Sequence, residues 1–334
     1  METRKVSPLS VRIDACTLCQ LRCPLCPTPG AEDFLGRGLL ALDDFQRFLD
    51  RNPAIRTIEL GSKGEALLNP HLPAMIEHAR ARGAVVELNQ GVNLNSASDE
   101  VLEALVRSGA PRLRVSIDGA TRQTYAMYRV GGDLRRVLGN VQRINALKQR
   151  YGTELPELTF QFIVFRHNVH EMEQAAALAK MLGMKIHFHL NAFPEPWSPA
   201  DLGRIRKLLG YATREEYVAQ RGHHYVRHLC YQMWIRPQVN WDGRLLGCSK
   251  NFSFTYAENV FADDFLDALN GPGMERARKL LQGHADPSPD ELPCSRCFLY
   301  LHMKERGNWI EDDEIDAWAA GSPPDPRRPV TRPC

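Results

Sequence analysis

The sequence lacks long hydrophobic runs and any marked excess of charge. No stretch of about 18 apolar residues occurs, so we expect no transmembrane helix. The first ten residues, Met1–Ser10, are polar and lack the apolar centre of a signal peptide. The chain has 42 Lys and Arg residues and 40 Asp and Glu residues. It therefore lacks the excess of basic residues that is typical of nucleic-acid-binding proteins. We therefore expect a cytoplasmic protein of one or two domains, without a membrane or nucleic-acid partner.

Cysteine is missing from the whole middle of the chain. The nine cysteines form an early and a late group, Cys16, Cys19, Cys23 and Cys26, then Cys230, Cys248, Cys294, Cys297 and Cys334. Because cytoplasmic thiols stay reduced, we interpret the groups as metal or cluster ligands rather than disulfides.

Cys19, Cys23 and Cys26 form a C-x3-C-x2-C motif just after a predicted strand. The spacing differs from the ferredoxin patterns, and zinc favours a C-x2-C paired with a distant second pair. Three thiolates hold only three irons of a four-iron cluster, so one iron stays open for another ligand. A structural zinc or ferredoxin-like site with Cys16 as the fourth ligand is the alternative.

This motif resembles that of the radical S-adenosylmethionine (SAM) superfamily. The resemblance implies that the open iron binds the amino and carboxylate groups of SAM. One electron then cleaves SAM to a 5′-deoxyadenosyl radical, which abstracts hydrogen from a substrate. A flavodoxin- or ferredoxin-type electron donor is the expected protein partner.

Further short motifs match the superfamily in chain order. Gly64 and Glu65 resemble the glycine-rich loop that approaches the SAM amino group, and glycine permits such close approach. Asn89, Ser116 and Arg129 match positions that contact the ribose and carboxylate of SAM. Leu25 stands where the family usually has an aromatic residue near adenine. The resemblance thus implies a SAM site built by Gly64, Glu65, Asn89, Ser116, Arg129 and Leu25.

Strand-like and helix-like segments alternate up to about residue 190. The predicted strands are Val11–Ala15, Thr57–Leu60, Val85–Leu88, Leu113–Ile117, Thr159–Val164 and Lys185–Leu190. The predicted helices are Leu40–Arg51, Pro70–Arg82, Ser98–Ser108, Leu134–Arg150 and His170–Leu182. Parallel strands with right-handed crossovers predict an α/β fold, a partial (β/α)6 TIM-like barrel. The resemblance implies the same fold.

One face of these strands is apolar and the other is polar. Because helices cover the apolar face, we expect the polar face, including Glu87, His187 and His189, to line the barrel interior. Such an interior suits a polar substrate such as a sugar, an aminocyclitol or a peptide. The candidate catalytic residues are the bases Glu59, Glu87 and Asp118 and a hydrogen-atom donor, Cys16.

Cys230, Cys248, Cys294 and Cys297 resemble the twitch domain, the shortened form of the SPASM extension. The resemblance implies one auxiliary [4Fe–4S] cluster with these four ligands, and an all-thiolate zinc site is the alternative. Tyr300 and His302 lie near the C-x2-C and are candidates to tune that cluster, core packing being equally compatible. The expected domains are the barrel at 1–192, a linker and helical bridge at 193–228, a small twitch-like C-terminal domain at 229–310 and a solvated acidic then Pro/Arg-rich tail at 311–334.

The resemblance favours a radical SAM oxidoreductase that oxidises a sugar- or cyclitol-like alcohol, with the auxiliary cluster accepting an electron. One alternative is a peptide-modifying enzyme, such as a maturase, a thioether-forming enzyme or an epimerase. Eighteen residues precede Cys19, so we expect no N-terminal leader-binding domain, which weakens that alternative. A non-catalytic iron–sulfur or zinc module is the alternative from another class.

Overall fold

A computed structural model describes residues 4–285 and 292–321. It contains two compact units. The first is Ile13–Gly210, and the second combines the chain before Ile13 with the chain after Gly210. The division falls inside the segment 193–228 that the sequence analysis assigns to a linker and helical bridge. Among the described helices, none is both long enough and apolar enough to cross a membrane.

In the strand order β6-β5-β4-β3-β2-β1, strands β2 to β6 lie in the first unit, and β1 contributes Ile13 to it. The strands are β1 (Ser10–Ile13), β2 (Thr57–Leu60), β3 (Val85–Val92), β4 (Arg112–Ser116), β5 (Glu157–Val164) and β6 (Lys185–Leu190). Strands β2 to β6 pair in parallel, each with its neighbour along the chain. The predicted α/β partial barrel is confirmed, and each predicted strand corresponds to one observed strand.

Helices connect these strands. They are α1 (Glu32–Leu35), α2 (Leu42–Arg51), α3 (Leu72–Ala81), α4 (Asp99–Arg107), α5 (Arg122–Tyr128), α6 (Leu134–Tyr151), α7 (Met172–Met181) and α8 (Leu202–Leu209). Helices α2, α3, α4, α6 and α7 are the five predicted ones. The Asp133 side chain accepts a hydrogen bond from the Arg135 N–H at the start of α6, and Gly152 ends α6 in the left-handed conformation.

The alternation of strand residues positions the core and the polar face. In β5 the residues Leu158, Phe160, Phe162 and Val164 are buried, and the residues between them are half-buried. Glu87 is only 2% exposed, and both His187 and His189 are partly buried. None of these three polar residues therefore lies on an exposed outer surface, as the sequence analysis requires.

The second unit contains a β-hairpin. Strands β7 (Gln238–Val239) and β8 (Leu245–Gly247) pair antiparallel, and Gly243 adopts a left-handed φ of 92° at the Asp-Gly turn. The helices of this unit are α9 (Arg214–Arg221), α10 (Gln232–Ile235), α11 (Phe265–Leu269), α12 (Pro272–Leu281), α13 (Phe298–Arg306) and α14 (Asp312–Ala319).

The structure corrects one expectation about the chain after residue 200. The segment predicted as a helical bridge contains the helices α8 and α9, because Gly210 ends α8 in the left-handed conformation and Thr213 caps α9. The acidic run beginning at Glu311 is not a solvated tail: Glu311 and Glu314 form a capping box that starts α14, and Ile315 is buried. Residues 322–334, including Cys334, lie outside the described residues.

Candidate functional site

The three early cysteines lie together on the loop that follows β1. The Cys26 N–H donates to the Cys23 carbonyl at 3.1 Å. Side-chain donors face two of the sulfurs: Asn93 Nδ2 lies 3.9 Å from Cys19 Sγ, and Arg129 Nη1 lies 3.7 Å from Cys23 Sγ. Burial raises the pKa of the Cys23 thiol, and the Arg129 guanidinium opposes that rise. Three thiols on one loop, two of them facing side-chain N–H donors, match the donor set that a three-cysteine cluster site needs.

Gly64 joins the predicted SAM loop to this cysteine loop. Its φ is +62°, and a Cβ atom there would lie 2.4 Å from the Cys16 carbonyl oxygen and 2.7 Å from the Leu18 carbonyl oxygen. The next residue, Glu65, donates its N–H to the Leu18 carbonyl at 2.7 Å. The two loops therefore touch backbone to backbone, which only glycine permits.

The Glu65 carboxylate is buried and held by two backbone amides. Its oxygens accept hydrogen bonds from the Asn93 N–H at 2.8 Å and the Leu67 N–H at 3.1 Å. Burial raises the pKa of Glu65 to about 7, although these hydrogen bonds oppose the rise. The carboxyl group is thus fixed between the loop after β2 and the end of β3.

Asp118 and Arg129 form a buried ion pair beside the cysteine loop. Arg129 Nε donates to Asp118 Oδ2 at 2.6 Å, and the Ile163 N–H donates to Asp118 Oδ1 at 2.6 Å. Burial disfavours the guanidinium charge, but the Asp118 carboxylate and the Cys23 thiol outweigh that effect and raise the pKa of Arg129. Arg129 is therefore a fixed cation that reaches from Asp118 to Cys23.

The predicted bases Glu59 and Glu87 also have partners. Glu59 accepts a hydrogen bond from the Asn89 N–H at 2.8 Å. Asn89 lies in a bulge of β3, because four residues of β3 pass from Leu88 to Val92 while β4 advances by two. Glu87 pairs with Arg112 at 3.0 Å. Proton abstraction by either carboxylate remains a prediction.

The remaining predicted site residues are Ser116, Leu25 and Cys16, and each has its own surroundings. Ser116 accepts a hydrogen bond from Gln161 Nε2 at 3.5 Å, and Leu25 is half-buried on the cysteine loop. Cys16 is fully buried, with the Leu18 N–H 3.2 Å from its Sγ atom. Its role as a hydrogen-atom donor also remains a prediction.

Sequence reasoning missed Glu171, which fixes the turn after β4. Its carboxylate accepts hydrogen bonds from the Ala120 N–H at 2.6 Å and from the hydroxyls of Thr121 and Thr124 at 2.6 and 2.8 Å. These bonds hold the start of α5, which leads to Arg129. No local sequence motif predicts that Glu171 fixes this turn, because about 50 residues separate it from its partners.

The late cysteines come together in the second unit. Cys230, Cys248, Cys294 and Cys297 line one cavity, whose empty space including its opening is about 460 Å³. Burial raises the pKa of Cys230 and of Cys294, and the neighbouring thiols add to the rise. The buried Tyr256 hydroxyl lines the same cavity and has no hydrogen-bond partner of normal geometry among the described residues.

These donor sets fit iron–sulfur clusters. Within residues 4–285 and 292–321, no three His, Cys, Asp or Glu side chains converge closely enough to hold a single metal ion. A cubane cluster places each cysteine on a different iron, so its ligands surround a volume rather than a point. The three early thiols lie on one loop, and the four late thiols surround one cavity that also contains an unpartnered hydroxyl. Both arrangements leave a volume between the sulfurs, as a cluster requires.

Known proteins resemble this chain at the level of sequence and fold. The AdoMet-dependent heme synthase of Methanosarcina barkeri is 27% identical, over 84% of this chain and 85% of the synthase. The PqqA peptide cyclase of Xanthomonas campestris pv. campestris is 27% identical, over 52% of this chain and 44% of the cyclase. No family model matches the sequence. AdoMet is SAM, and the first of these alignments runs along most of both chains.

The chain is similar to radical SAM enzymes, as the sequence predicts. The enzymes that it resembles include members of the SPASM/twitch subgroup, which use SAM, a SAM-binding [4Fe–4S] cluster and auxiliary clusters. Streptococcus suis SuiB bound to its precursor peptide SuiA has the same fold, with a TM-score of 0.64 at 13% identity over 89% of this chain and 71% of SuiB. The predicted family, enzyme class and cofactors are confirmed, so the non-catalytic module is set aside.

Proposed function

We propose that this radical SAM enzyme is an oxidoreductase that oxidises a hydroxyl-bearing carbon of a sugar- or cyclitol-like substrate. Cys19, Cys23 and Cys26 hold the SAM-binding cluster. The four late cysteines hold an auxiliary [4Fe–4S] cluster. The observation that carries the proposal is the single cavity lined by all four late thiols.

Net oxidation removes two electrons and two protons from an alcohol, so it needs an electron acceptor as well as a hydrogen-atom acceptor. When bound, SAM with its cluster supplies hydrogen-atom abstraction, and the auxiliary cluster supplies the one-electron acceptor. In this proposal Arg129 binds the SAM carboxylate and Glu65 binds its amino group. Glu59, Glu87 and Asp118 are the candidates that take the hydroxyl proton.

A row of polar side chains supports a polar substrate. Ser116 of β4 pairs in register with Gln161 of β5, and Gln161 pairs with His187 of β6. Residues in register share one face of a parallel sheet. Burial, with a smaller contribution from Arg114, lowers the pKa of His187 to about 4. At neutral pH its uncharged imidazole offers one donor and one acceptor, which suits hydroxyl groups.

Peptide modification is the second candidate. The similarity to the PqqA peptide cyclase favours it, and the alignment covers about half of this chain. The polar row also accommodates backbone amides. A flavodoxin- or ferredoxin-type protein is the proposed electron donor for either reaction.

Iron analysis after anaerobic reconstitution tests the ligand assignment. We expect about eight irons in the wild type, falling to about four in the Cys19/Cys23/Cys26→Ala variant and in the Cys230/Cys248/Cys294/Cys297→Ala variant. Dithionite-driven SAM cleavage should disappear only in the first variant. About four irons in the wild type, with zinc retained by the late cysteines, would refute the electron-acceptor role.

Turnover with candidate substrates tests the reaction. The wild type is incubated with a panel of cyclitols and sugars and, separately, with short peptides, and 5′-deoxyadenosine and product are measured by mass spectrometry. A product two mass units lighter than a cyclitol or sugar supports the proposal. Modification confined to peptides would favour the second candidate.

A further inference from the structure

Tyr256 differs from the other polar residues that line the cavity of the late cysteines. Its hydroxyl is buried without a hydrogen-bond partner of normal geometry among the described residues. The Asn251 side chain is fully engaged, because its Nδ2 donates to the Leu246 and Phe254 carbonyls and its Oδ1 accepts from two backbone amides. Lys250 is exposed to solvent. Among the described residues that line this cavity, Tyr256 is therefore the one with a buried hydroxyl that lacks a hydrogen-bond partner of normal geometry.

The Tyr256 side chain and the Cys294 thiol line the same cavity. Burial raises the pKa of Tyr256, and among the neighbouring thiols Cys294 adds most to that rise, followed by Cys248. An unsatisfied buried hydroxyl costs about 1–3 kcal/mol. A cysteine thiolate is a hydrogen-bond acceptor that satisfies it. The phenol and the sulfur are thus a matched donor and acceptor once the thiol is deprotonated.

Packing fixes the orientation of the ring. A Cβ atom on Gly247 would lie 3.1 Å from Tyr256 Cε2, and one on Gly273 would lie 3.3 Å from Tyr256 Cδ1. Phe254 contacts the ring edge-on with centroids 4.9 Å apart. The Tyr256 N–H donates to the Leu245 carbonyl at 2.8 Å. Two glycines and one aromatic neighbour leave the tyrosine little freedom to turn its hydroxyl away.

We propose that Tyr256 donates a hydrogen bond to the Cys294 sulfur of the auxiliary cluster and thereby raises the reduction potential of that cluster. The inference rests on the cluster assignment made under the proposed function. A hydrogen bond to a ligating sulfur stabilises the more negative, reduced state, so the potential rises. A higher potential favours electron transfer from the substrate radical. Tyr256 is a positioning residue, because it acts through a ligand.

Tyr300 and His302, which the sequence places near the C-x2-C, are not among the residues that line the cavity. Tyr300 is almost completely buried and packs its ring against Trp309, with centroids 5.8 Å apart. Tyr300→Phe therefore removes a buried phenol from the same unit without changing the cavity. It is the matched control for Tyr256→Phe.

The test is an EPR-monitored redox titration of the auxiliary cluster in the full chain. The Cys19/Cys23/Cys26→Ala background removes the signal of the SAM-binding cluster. We expect Tyr256→Phe to bind about four irons and to lower the reduction equilibrium constant about tenfold, which is 59 mV for a one-electron couple. Tyr300→Phe should keep the potential of its parent.

The outcomes separate the two proposals. An unchanged potential in Tyr256→Phe at full iron content overturns the hydrogen bond and leaves the auxiliary cluster in place. Equal shifts in both tyrosine variants also overturn it, because they reflect general packing. Zinc or no metal at the late cysteines of the parent overturns both the inference and the electron-acceptor role.

Discussion

Arg129 places its Nη1 atom 3.7 Å from the Sγ atom of Cys23. Its other side-chain nitrogens contact the carboxylate of Asp118, which is completely buried. One guanidinium thus links an acidic residue after β4 to a cysteine after β1. The orientation of the cation toward the cysteine loop depends on the Asp118 carboxylate, which lies after β4 and not on that loop.

Replacing Asp118 by Asn should destabilise the protein. Asn tolerates the left-handed φ of 55° found here, so the backbone keeps its conformation while the Arg129 charge loses its buried partner. We expect the free energy of unfolding to fall by about 3 kcal/mol, measured by urea denaturation followed by circular dichroism. Asp44→Asn, which breaks an exposed pair with Arg47, should cost less than about 1 kcal/mol. Equal losses would contradict the prediction.

Replacing Gly64 by Ala should disturb the cysteine loop. The new Cβ atom would collide with the backbone carbonyls of Cys16 and Leu18, so the loops must separate. We expect iron content after reconstitution to fall from about eight toward about four. Gly83→Ala is the control, because Gly83 has a similar φ of +70° but open space around its Cβ position. Equal iron content in both variants would refute the prediction.

Replacing Glu65 by Gln should weaken SAM binding. Loss of a charged hydrogen bond costs about 1.5–3 kcal/mol, so we expect the Kd of cluster-loaded protein for SAM to rise at least about tenfold in calorimetry. Because the pKa of Glu65 is about 7, wild-type affinity should decrease as pH falls below 7 and the carboxyl gains a proton. Glu77→Gln, at an exposed pair with Arg80, should bind as the wild type does. If the affinity of the Glu65→Gln variant for SAM still falls below pH 7, another titrating group is responsible.

His187 should make stability depend on pH. Its pKa of about 4 in the folded state lies below the ordinary value of about 6.5, so the unfolded chain binds the extra proton between these values. Stability is therefore complete above about pH 6.5 and declines as pH falls toward 4. We expect the wild type to lose about 2 kcal/mol more than His187→Gln between pH 7 and pH 4.5, in urea unfolding. Parallel pH profiles would show that His187, beside Arg114 and His189, is not responsible.

The parts of the fold that the sequence predicts are those governed by local patterns. Alternating apolar residues located β5 and β6, and periodic apolar residues located α6, because burial of one face imposes a period on the chain. The Asp-Gly pair at the turn of the β7–β8 hairpin is a similarly local signal in the sequence. The short helix α5 escaped prediction, since its buried residues Thr124, Tyr125 and Tyr128 form no extended apolar stripe.

The site was only partly predictable. Cys19, Cys23 and Cys26 are close in sequence, so their spacing already described one loop. Tyr256 carries no motif, and only folding brings it to Cys294, which is 38 residues away. The capping role of Glu311 was also missed. Glu311 and Glu314 stand in a run of acidic residues, and such a run has the composition of a solvated tail.

At Gly64 the backbone of the loop proposed to bind SAM packs directly on the backbone of the cysteine loop, so the two loops form one rigid unit. A shift of either loop therefore displaces the other, so the residues proposed to bind SAM and its cluster keep their relative positions when distant parts of the barrel are changed. Gln161 and His187 lie on β5 and β6, away from that rigid unit in the strand order. Retargeting the enzyme to a new substrate should therefore begin with those two positions.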